Sequence, residues 1–218
     1  MKRVYAINGS PRHNRNTARM LDSALEGVKS AFPDEEVRTE RINLIDLSYT
    51  GCRSCFACKR KDERFLKTCA IRDDLFPVLE NLKEADGVII GSPIYFHNIT
   101  GILHCFYERL FFPYLVYKPG FKPLETNKMA TACIYTMNVF EEGMIESGYR
   151  QTLERWESFL KHFFSEPRVA YAFNTFQFDR YDEYICEVFD EREKARHRDE
   201  QFPKDLQNAY ELGRNLLK

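Results

Sequence analysis

The stretch Arg3-Val4-Tyr5-Ala6-Ile7-Asn8-Gly9-Ser10-Pro11-Arg12-His13-Asn14-Arg15-Asn16-Thr17 decides how the rest of the chain is read. Residues 3–7 are a short run of strand formers, and Asn8, Gly9, Ser10 and Pro11 are turn residues. From Thr17, apolar residues recur at helical spacing: Met20, Leu21, Ala24, Leu25, Val28 and Phe32. Pro33 and Asp34 stop that helix. A strand that runs through a polar loop into a helix points unpaired N–H groups and a positive dipole end at whatever sits there, and a phosphate fits both. Ser10, Asn16 and Thr17 add hydroxyl and amide donors, and Arg12 adds a charged fork. The loop lacks G-x-x-x-x-G-K-[ST], and it has one glycine where a dinucleotide fingerprint needs three. It suits a compact terminal phosphate; an ordinary strand-to-helix turn with a Thr cap is the alternative.

Outward from this stretch, strands and helices alternate. Residues 37–42 read as a second strand, and Asp73 as the N-cap of a helix carrying Leu75, Val78, Leu79 and Leu82. Residues 87–90 (Gly87-Val88-Ile89-Ile90) form a continuous apolar strand of the kind buried on both faces. A helix is expected over 99–112 and strands over 129–136 and 168–173. A further helix over 149–164 has Leu153, Trp156, Phe159, Leu160 and Phe163 on one stripe, with Trp156 in the core. The pattern predicts an α/β fold with a five-stranded parallel sheet covered on both faces. It assigns residues 1–173 to the main unit and 174–218 to an aromatic and helical appendage of the same domain.

Ligands of such sheets sit outside the carboxyl ends of the strands, which singles out the loops after strands one, three and four. The second of these, residues 91–101, carries Pro93 and then three large residues, Ile94, Tyr95 and Phe96, past the expected strand end. Such side chains either pin a loop or line a flat ligand site, and their backbone N–H groups are candidate donors to the polar edge of a ring. Thr136-Met137-Asn138 would border its other side.

Composition narrows the class. The chain has 218 residues, 44% of them hydrophobic, with 32 Lys plus Arg against 33 Asp plus Glu, for a net charge of -1. That balance speaks against a nucleic-acid partner and against docking by charge alone. The first residues lack an apolar leader segment, and no run reaches membrane length, so no membrane association and a cytoplasmic location are expected. Seven cysteines in a reducing compartment read as free thiols, metal ligands or redox groups. His13, His97, His104, His162 and His197 show no ligand spacing, and the charge run 190–200 reads as a solvated helix face. Aromatics concentrate in 106–117 and 171–189. They suit intrachain packing, a subunit interface for the first stretch, or a cover over a neighbouring subunit's pocket for the second.

Asn8-Gly9-Ser10-Pro11-Arg12 with Asn16-Thr17, then Asp73-Asp74, Gly91-Ser92-Pro93-Ile94-Tyr95-Phe96, Ile99-Thr100-Gly101 and Glu108-Arg109, resemble one family over roughly residues 1–140. It comprises the flavodoxin-like NAD(P)H-dependent FMN reductases and quinone reductases, together with the iron–sulfur flavoproteins. The resemblance implies a flavodoxin-like three-layer sandwich with strand order 2-1-3-4-5, FMN as cofactor, NAD(P)H as co-substrate, and a homodimer or homotetramer. By that resemblance Ser10, Arg12, Asn16 and Thr17 hold the phosphate and Pro93, Ile94, Tyr95 and Phe96 the isoalloxazine, with Asn98 and Thr136 alongside. FMN itself carries the chemistry, so no catalytic side chain is assigned. The implied activity is electron transfer from NAD(P)H to a quinone, flavin or similar small acceptor. The alternatives are an iron–sulfur flavoprotein acting as an electron-transfer protein and a flavin-free binding or regulatory domain. Relatives often carry Lys where His104 stands, so no role of that Lys carries over.

Cys52-x2-Cys55-x2-Cys58 is a compact trio, followed after ten residues by Cys69. The iron–sulfur flavoproteins look similar here, with the fourth cysteine closer. In this chain the gap is longer and basic, with Lys59, Arg60, Lys61, Arg64 and Lys67. Three readings stay open: a [4Fe–4S] cluster, a structural zinc site, and a metal-free thiol loop; no metal ligand set is assigned. Cys105, Cys133 and Cys186 are expected to be buried thiols.

Overall fold

Alternation along the first strand builds both halves of the core. In the computed structural model, which describes residues 1–218 except Glu63, Phe121 and Asn127, β1 (Lys2–Asn8) lies between β2 (Val37–Asn43) and β3 (Gly87–Pro93). Strands β4 (Ala130–Thr136) and β5 (Arg168–Ala172) follow, giving the all-parallel order β2-β1-β3-β4-β5. The helices are α1 (Asn16–Ser30), α2 (Leu75–Lys83), α3 (Gly101–Phe111), α4 (Glu141–Glu146), α5 (Arg150–Phe163), α6 (Glu191–Glu200) and α7 (Phe202–Arg214). Val4 and Ala6 point to one face, where α1 and α7 contribute Met20, Leu21, Ala24, Phe202 and Ala209. Tyr5 and Ile7 point to the other, under Leu79 of α2, Leu103 of α3 and Leu160 of α5. This is the flavodoxin-like α/β sandwich expected from the sequence.

Four details differ from expectation. Strand β3 continues through Pro93, because Gly91, Ser92 and Pro93 pair with Ile134, Tyr135 and Thr136. Helix α4 fills a stretch for which no element was expected. Asp73, expected as the cap of α2, instead lies two residues ahead of it; Asp74 takes the cap position, and its carboxylate accepts from Ser48 N (2.8 Å). On α5, Leu153, Leu160 and Phe163 are buried, while Trp156 is only half-buried and Phe159 is exposed. Among the described residues, no helix is long and apolar enough to cross a membrane.

Asp73 serves Arg109, whose side chain has 0% exposure. Arg109 Nη1 donates to Asp73 Oδ2 (2.6 Å) and to the Thr50 carbonyl (3.1 Å). Its Nη2 donates to Asp73 Oδ1 (3.0 Å) and to the Ile71 carbonyl (3.2 Å). One guanidinium therefore ties together both ends of the cysteine-bearing loop. Burial by itself pushes the Asp73 carboxyl up; the hydrogen bonds and charge of Arg109 outweigh it and hold the group below the usual carboxylate range.

Across the opposite face, α7 crosses α1 at backbone contact. A Cβ on Gly27 would lie 1.9 Å from the Tyr210 carbonyl oxygen, and one on Gly213 would lie 1.9 Å from that of Ala24. Neither obstacle is a side chain that can swing away, so the helices must part if either residue grows.

Gly213→Ala is expected to cost about 3 kcal/mol, the upper end for overpacking, seen as a drop in Tm of roughly 6–12 °C for a domain of this size. Asp73→Asn leaves Arg109 buried without a counter-charge and is expected to cost about 3–5 kcal/mol. Because the Asp73 pKa is depressed in the fold, that deficit is complete above about pH 5 and closes as pH falls below about 4. Denaturant melts of both chains across pH 3–7 measure it; a gap constant over that range would refute the assignment.

Candidate functional site

The carboxyl ends of β1, β3 and β4 open into a cleft of about 300 Å³ lined by Ser10, Arg12, Asn16, Thr17, Pro93, Ile94, Tyr95, Phe96 and Thr136. Nine of the ten residues singled out from the sequence thus meet in one place, of a size that suits a cofactor. Asn98 is the exception. Its Oδ1 accepts from Ile99 N (2.8 Å) and from Trp156 Nε1 (3.0 Å), so it holds the loop to α5 and does not line the cleft.

One wall is the turn into α1. The Asn8 side chain accepts from Ser10 N (3.1 Å), and the Ser10 hydroxyl accepts from Arg12 N (3.1 Å) while keeping its own proton to donate. Helix α1 has no side-chain cap and no acid in its first turn, so its leading N–H groups and dipole remain for an anion. The Thr17 hydroxyl meets that of Thr136 at 2.7 Å, joining α1 to the end of β4.

The opposite wall is a two-residue hairpin. Tyr95 N donates to the Asn98 carbonyl (2.8 Å) and Asn98 N to the Tyr95 carbonyl (3.0 Å). Between them Phe96 (φ 48°) and His97 (φ 61°) are both left-handed, in a turn type that normally takes Gly, Asn or Asp. Phe96 stands fully exposed at the cleft, and His97 stacks on Tyr149 at 4.8 Å. Ile94 N donates to the Thr136 carbonyl (3.0 Å), so the backbone donors expected from Ile94 and Tyr95 are used within the chain.

Arg15, Met137, Asn138, Thr175 and Gln177 also line the cleft. Thr175 and Gln177 belong to the segment after β5, which crosses the cleft as a strap. Arg12 Nη1 donates to the Gln177 carbonyl (2.8 Å), Asn16 Nδ2 donates to the Phe176 carbonyl (3.0 Å), and Arg15 pairs with Asp179, whose carboxyl it holds below the usual range. Arg12 keeps most of its donors. The aromatic stretch of the tail therefore lies against its own chain's cleft, and the alternation of Phe176 and Phe178 with Thr175 and Gln177 was the one sequence sign of it.

A second cavity, smaller and some distance along α3, is lined by Cys52, Cys55, Cys58, Cys69 and Arg109. The Cys58 thiol is pushed up by burial, with Lys59 opposing and the other three thiols adding to the rise. Arg109 Nε is buried in this wall without a hydrogen-bond partner. Among the described residues, no three His, Cys, Asp or Glu side chains are grouped closely enough to hold one metal ion. Cys133 is buried as expected, whereas Cys105 and Cys186 are only half-buried, Cys186 lying beside the exposed Ile185.

The sequence profile of the NADPH-dependent FMN reductase family matches residues 2–160. An iron–sulfur flavoprotein of Archaeoglobus fulgidus is 38% identical over 107 residues, 49% of this chain and 48% of that protein. One of Methanocaldococcus jannaschii is 36% identical over 107 residues, 49% and 51% of the two chains. These alignments span about half the length of the curated relatives. Among solved structures, the NAD(P)H:quinone oxidoreductase from Methanothermobacter marburgensis superposes with a TM-score of 0.69 at 14% identity, covering 99% of this chain and 98% of that one. An FMN-dependent NADH-azoreductase from Bacillus anthracis in complex with FMN gives 0.68 at 14% identity over 100% of both chains. At such identity these two speak to the fold, and the profile match over most of the chain to the lineage: the chain belongs to the NADPH-dependent FMN reductase family.

Proposed function

We propose that the cleft binds FMN and that the chain is an oxidoreductase passing electrons from a reduced nicotinamide to a small acceptor such as a quinone or a free flavin. The observation that carries this is the convergence, in one cleft, of an uncapped helix start with Ser10 and Arg12 on one side and the Pro93–Phe96 segment on the other. The first suits a phosphate monoester and the second a flat ring. Bound FMN would supply hydride acceptance and electron donation, chemistry that no side chain here offers. The residues bind and orient. Ser10, Thr17 and the first turn of α1 would hold the phosphate. Pro93 and Ile94 would wall one edge of the ring, and Thr136 the other. Tyr95 and Phe96, on the open side, would receive nicotinamide and acceptor in turn.

A second reading, an iron–sulfur flavoprotein working as an electron-transfer protein, is favoured by one observation: four thiols and an unpartnered buried Arg109 Nε face a common cavity. A cubane cluster holds its thiolates farther apart than a single zinc ion does, and its sulfides accept hydrogen bonds. Cys52, Cys55, Cys58 and Cys69 would ligate such a group, and Arg109 would donate to it. Bound there, it would carry single electrons.

An absorption spectrum of protein purified without oxygen, with iron determined on the same sample, separates the readings. Flavin bands without iron support the reductase alone. Flavin with a broad cluster shoulder and about four irons per chain supports the second reading. A colourless chain that takes up no FMN refutes both. At the hairpin, Phe96→Gly relieves a left-handed residue and is expected to raise stability by up to about 1 kcal/mol. The same change removes the exposed ring and is expected to weaken FMN binding about tenfold, ~1.4 kcal/mol, by fluorescence titration. A variant that gains stability with FMN affinity intact would remove Phe96 from the site.

A further inference from the structure

The charge run 190–200 is not uniformly solvated. Lys194, in α6, is 1% exposed and ranks among the largest fully buried side chains. Among the described residues, no carboxylate lies within ion-pair distance of it. Its Nζ donates instead to the Asn138 backbone carbonyl (2.5 Å) and to Asn138 Oδ1, and it sits 4.3 Å from the centre of the Phe189 ring. An ammonium has three donors and no acceptor, so the amide atom facing it must be the oxygen. The Asn138 amide is thereby fixed the other way round: its Nδ2 donates to Gln177 Oε1 (2.8 Å). That bond takes one of the two acceptor sites of the Gln177 oxygen and turns it toward Asn138, which leaves the Gln177 amide nitrogen as the free end of the relay. Asn138 and Gln177 both line the cleft, whereas Lys194 does not. Burial pulls the ammonium down to about 8, with Cys186 and Glu193 pulling it back up.

We infer that Lys194 is a positioning residue for the cleft: through Asn138 and Gln177 it sets the polarity of the rim, so that amide N–H groups rather than carbonyl oxygens meet the ligand. The rim then selects ligand groups that accept hydrogen bonds or gain negative charge. If the ligand is FMN, as proposed above, the rim with a buried cation behind it favours the reduced over the oxidised cofactor, because reduction places charge on the ring's oxygen-bearing edge. Nothing in the local sequence announces this role. The lysine lies 56 residues from the amide it orients, inside a run of acids and bases.

The test compares wild type, Lys194→Met and Asn138→Asp by anaerobic titration with oxidised and with reduced FMN. Lys194→Met removes the cation. Asn138→Asp gives Lys194 a carboxylate, which secures the fold, while replacing the donating end of the amide with an acceptor. Both variants are expected to lower the ratio of reduced to oxidised affinity about tenfold, ~30 mV for a two-electron couple. A merely structural role would weaken both forms alike. A ratio unchanged in both variants, with wild type binding FMN, overturns the inference. Side-chain amide NMR of the ligand-free chain decides independently of FMN. Lys194→Met is expected to shift the Gln177 NH2 resonances, although no hydrogen bond joins Lys194 to Gln177, and unmoved resonances overturn the relay. A wild type that binds no FMN, with the Gln177 resonances still shifting, would refute the FMN reading while leaving the relay standing.

Discussion

The backbone contact between α1 and α7 is the constraint on which the cleft depends. Helix α1 is gripped from both sides, by the sheet through Met20, Leu21 and Ala24 and by α7 through Gly27 and Gly213. Its free N-terminus forms one wall of the cleft, so a shift of the helix axis moves Ser10, Asn16 and Thr17 together. The same contact fixes where the tail ends. With α7 seated on α1, the chain from β5 to α6 is committed to the neighbourhood of the cleft, where Arg12, Arg15 and Asn16 hold the strap across it. Within residues 174–218, α7 lies beside α1 in one helical layer, packed with it against the sheet through Ala170 and Ala172 of β5.

How much of this was legible follows from the range of the interactions. The turn from β1 into α1 was readable because its signals are local: a strand run, turn residues and helical spacing within thirty residues. Gly87 to Ile90 was readable because a strand buried on both faces has no polar alternation. The end of β3 was not, since whether Gly91, Ser92 and Pro93 belong to a strand is decided by their partners on β4. The hairpin was hidden for the opposite reason: Phe96 and His97 adopt a conformation that their own side chains disfavour, so propensity argues against what tertiary contacts impose. The bond from Trp156 Nε1 to Asn98 Oδ1 was not readable either, because it bridges 58 residues. The strap contacts bridge 160 and 165 residues, beyond any local pattern.

Helix α3 connects the two candidate sites mechanically. At its start, Thr100 caps it through a bond from Leu103 N and donates to the Gly9 carbonyl (2.7 Å), beside the phosphate-type turn. Near its end, Glu108 accepts from Cys52 N (2.9 Å) and Arg109 lines the four-thiol cavity. Nine residues separate Thr100 from Arg109, a rise of about 14 Å. A rigid element of that length holds both sites in register. The aromatic layer of Tyr107, Phe111 and Trp156 packs along its flank, so neither site can drift without disturbing stacked rings 5.0 and 5.2 Å apart.

The Arg109 clamp has a consequence for how such a chain can diversify. Because Thr50, Ile71 and Asp73 are all gathered by one guanidinium, the excursion of twenty or so residues between them starts and ends at a single point, with Cys52, Lys59 and Thr68 bonded to the domain along the way. Closing a loop costs little more as it lengthens. Its length and cysteine spacing are thus free to vary while the cleft, fixed by other elements, stays as it is. The excursion behaves as an exchangeable cassette on a fixed frame. The long basic gap before Cys69 is the kind of change such a frame tolerates, and a foreign loop grafted between Thr50 and Ile71 would inherit the same anchor.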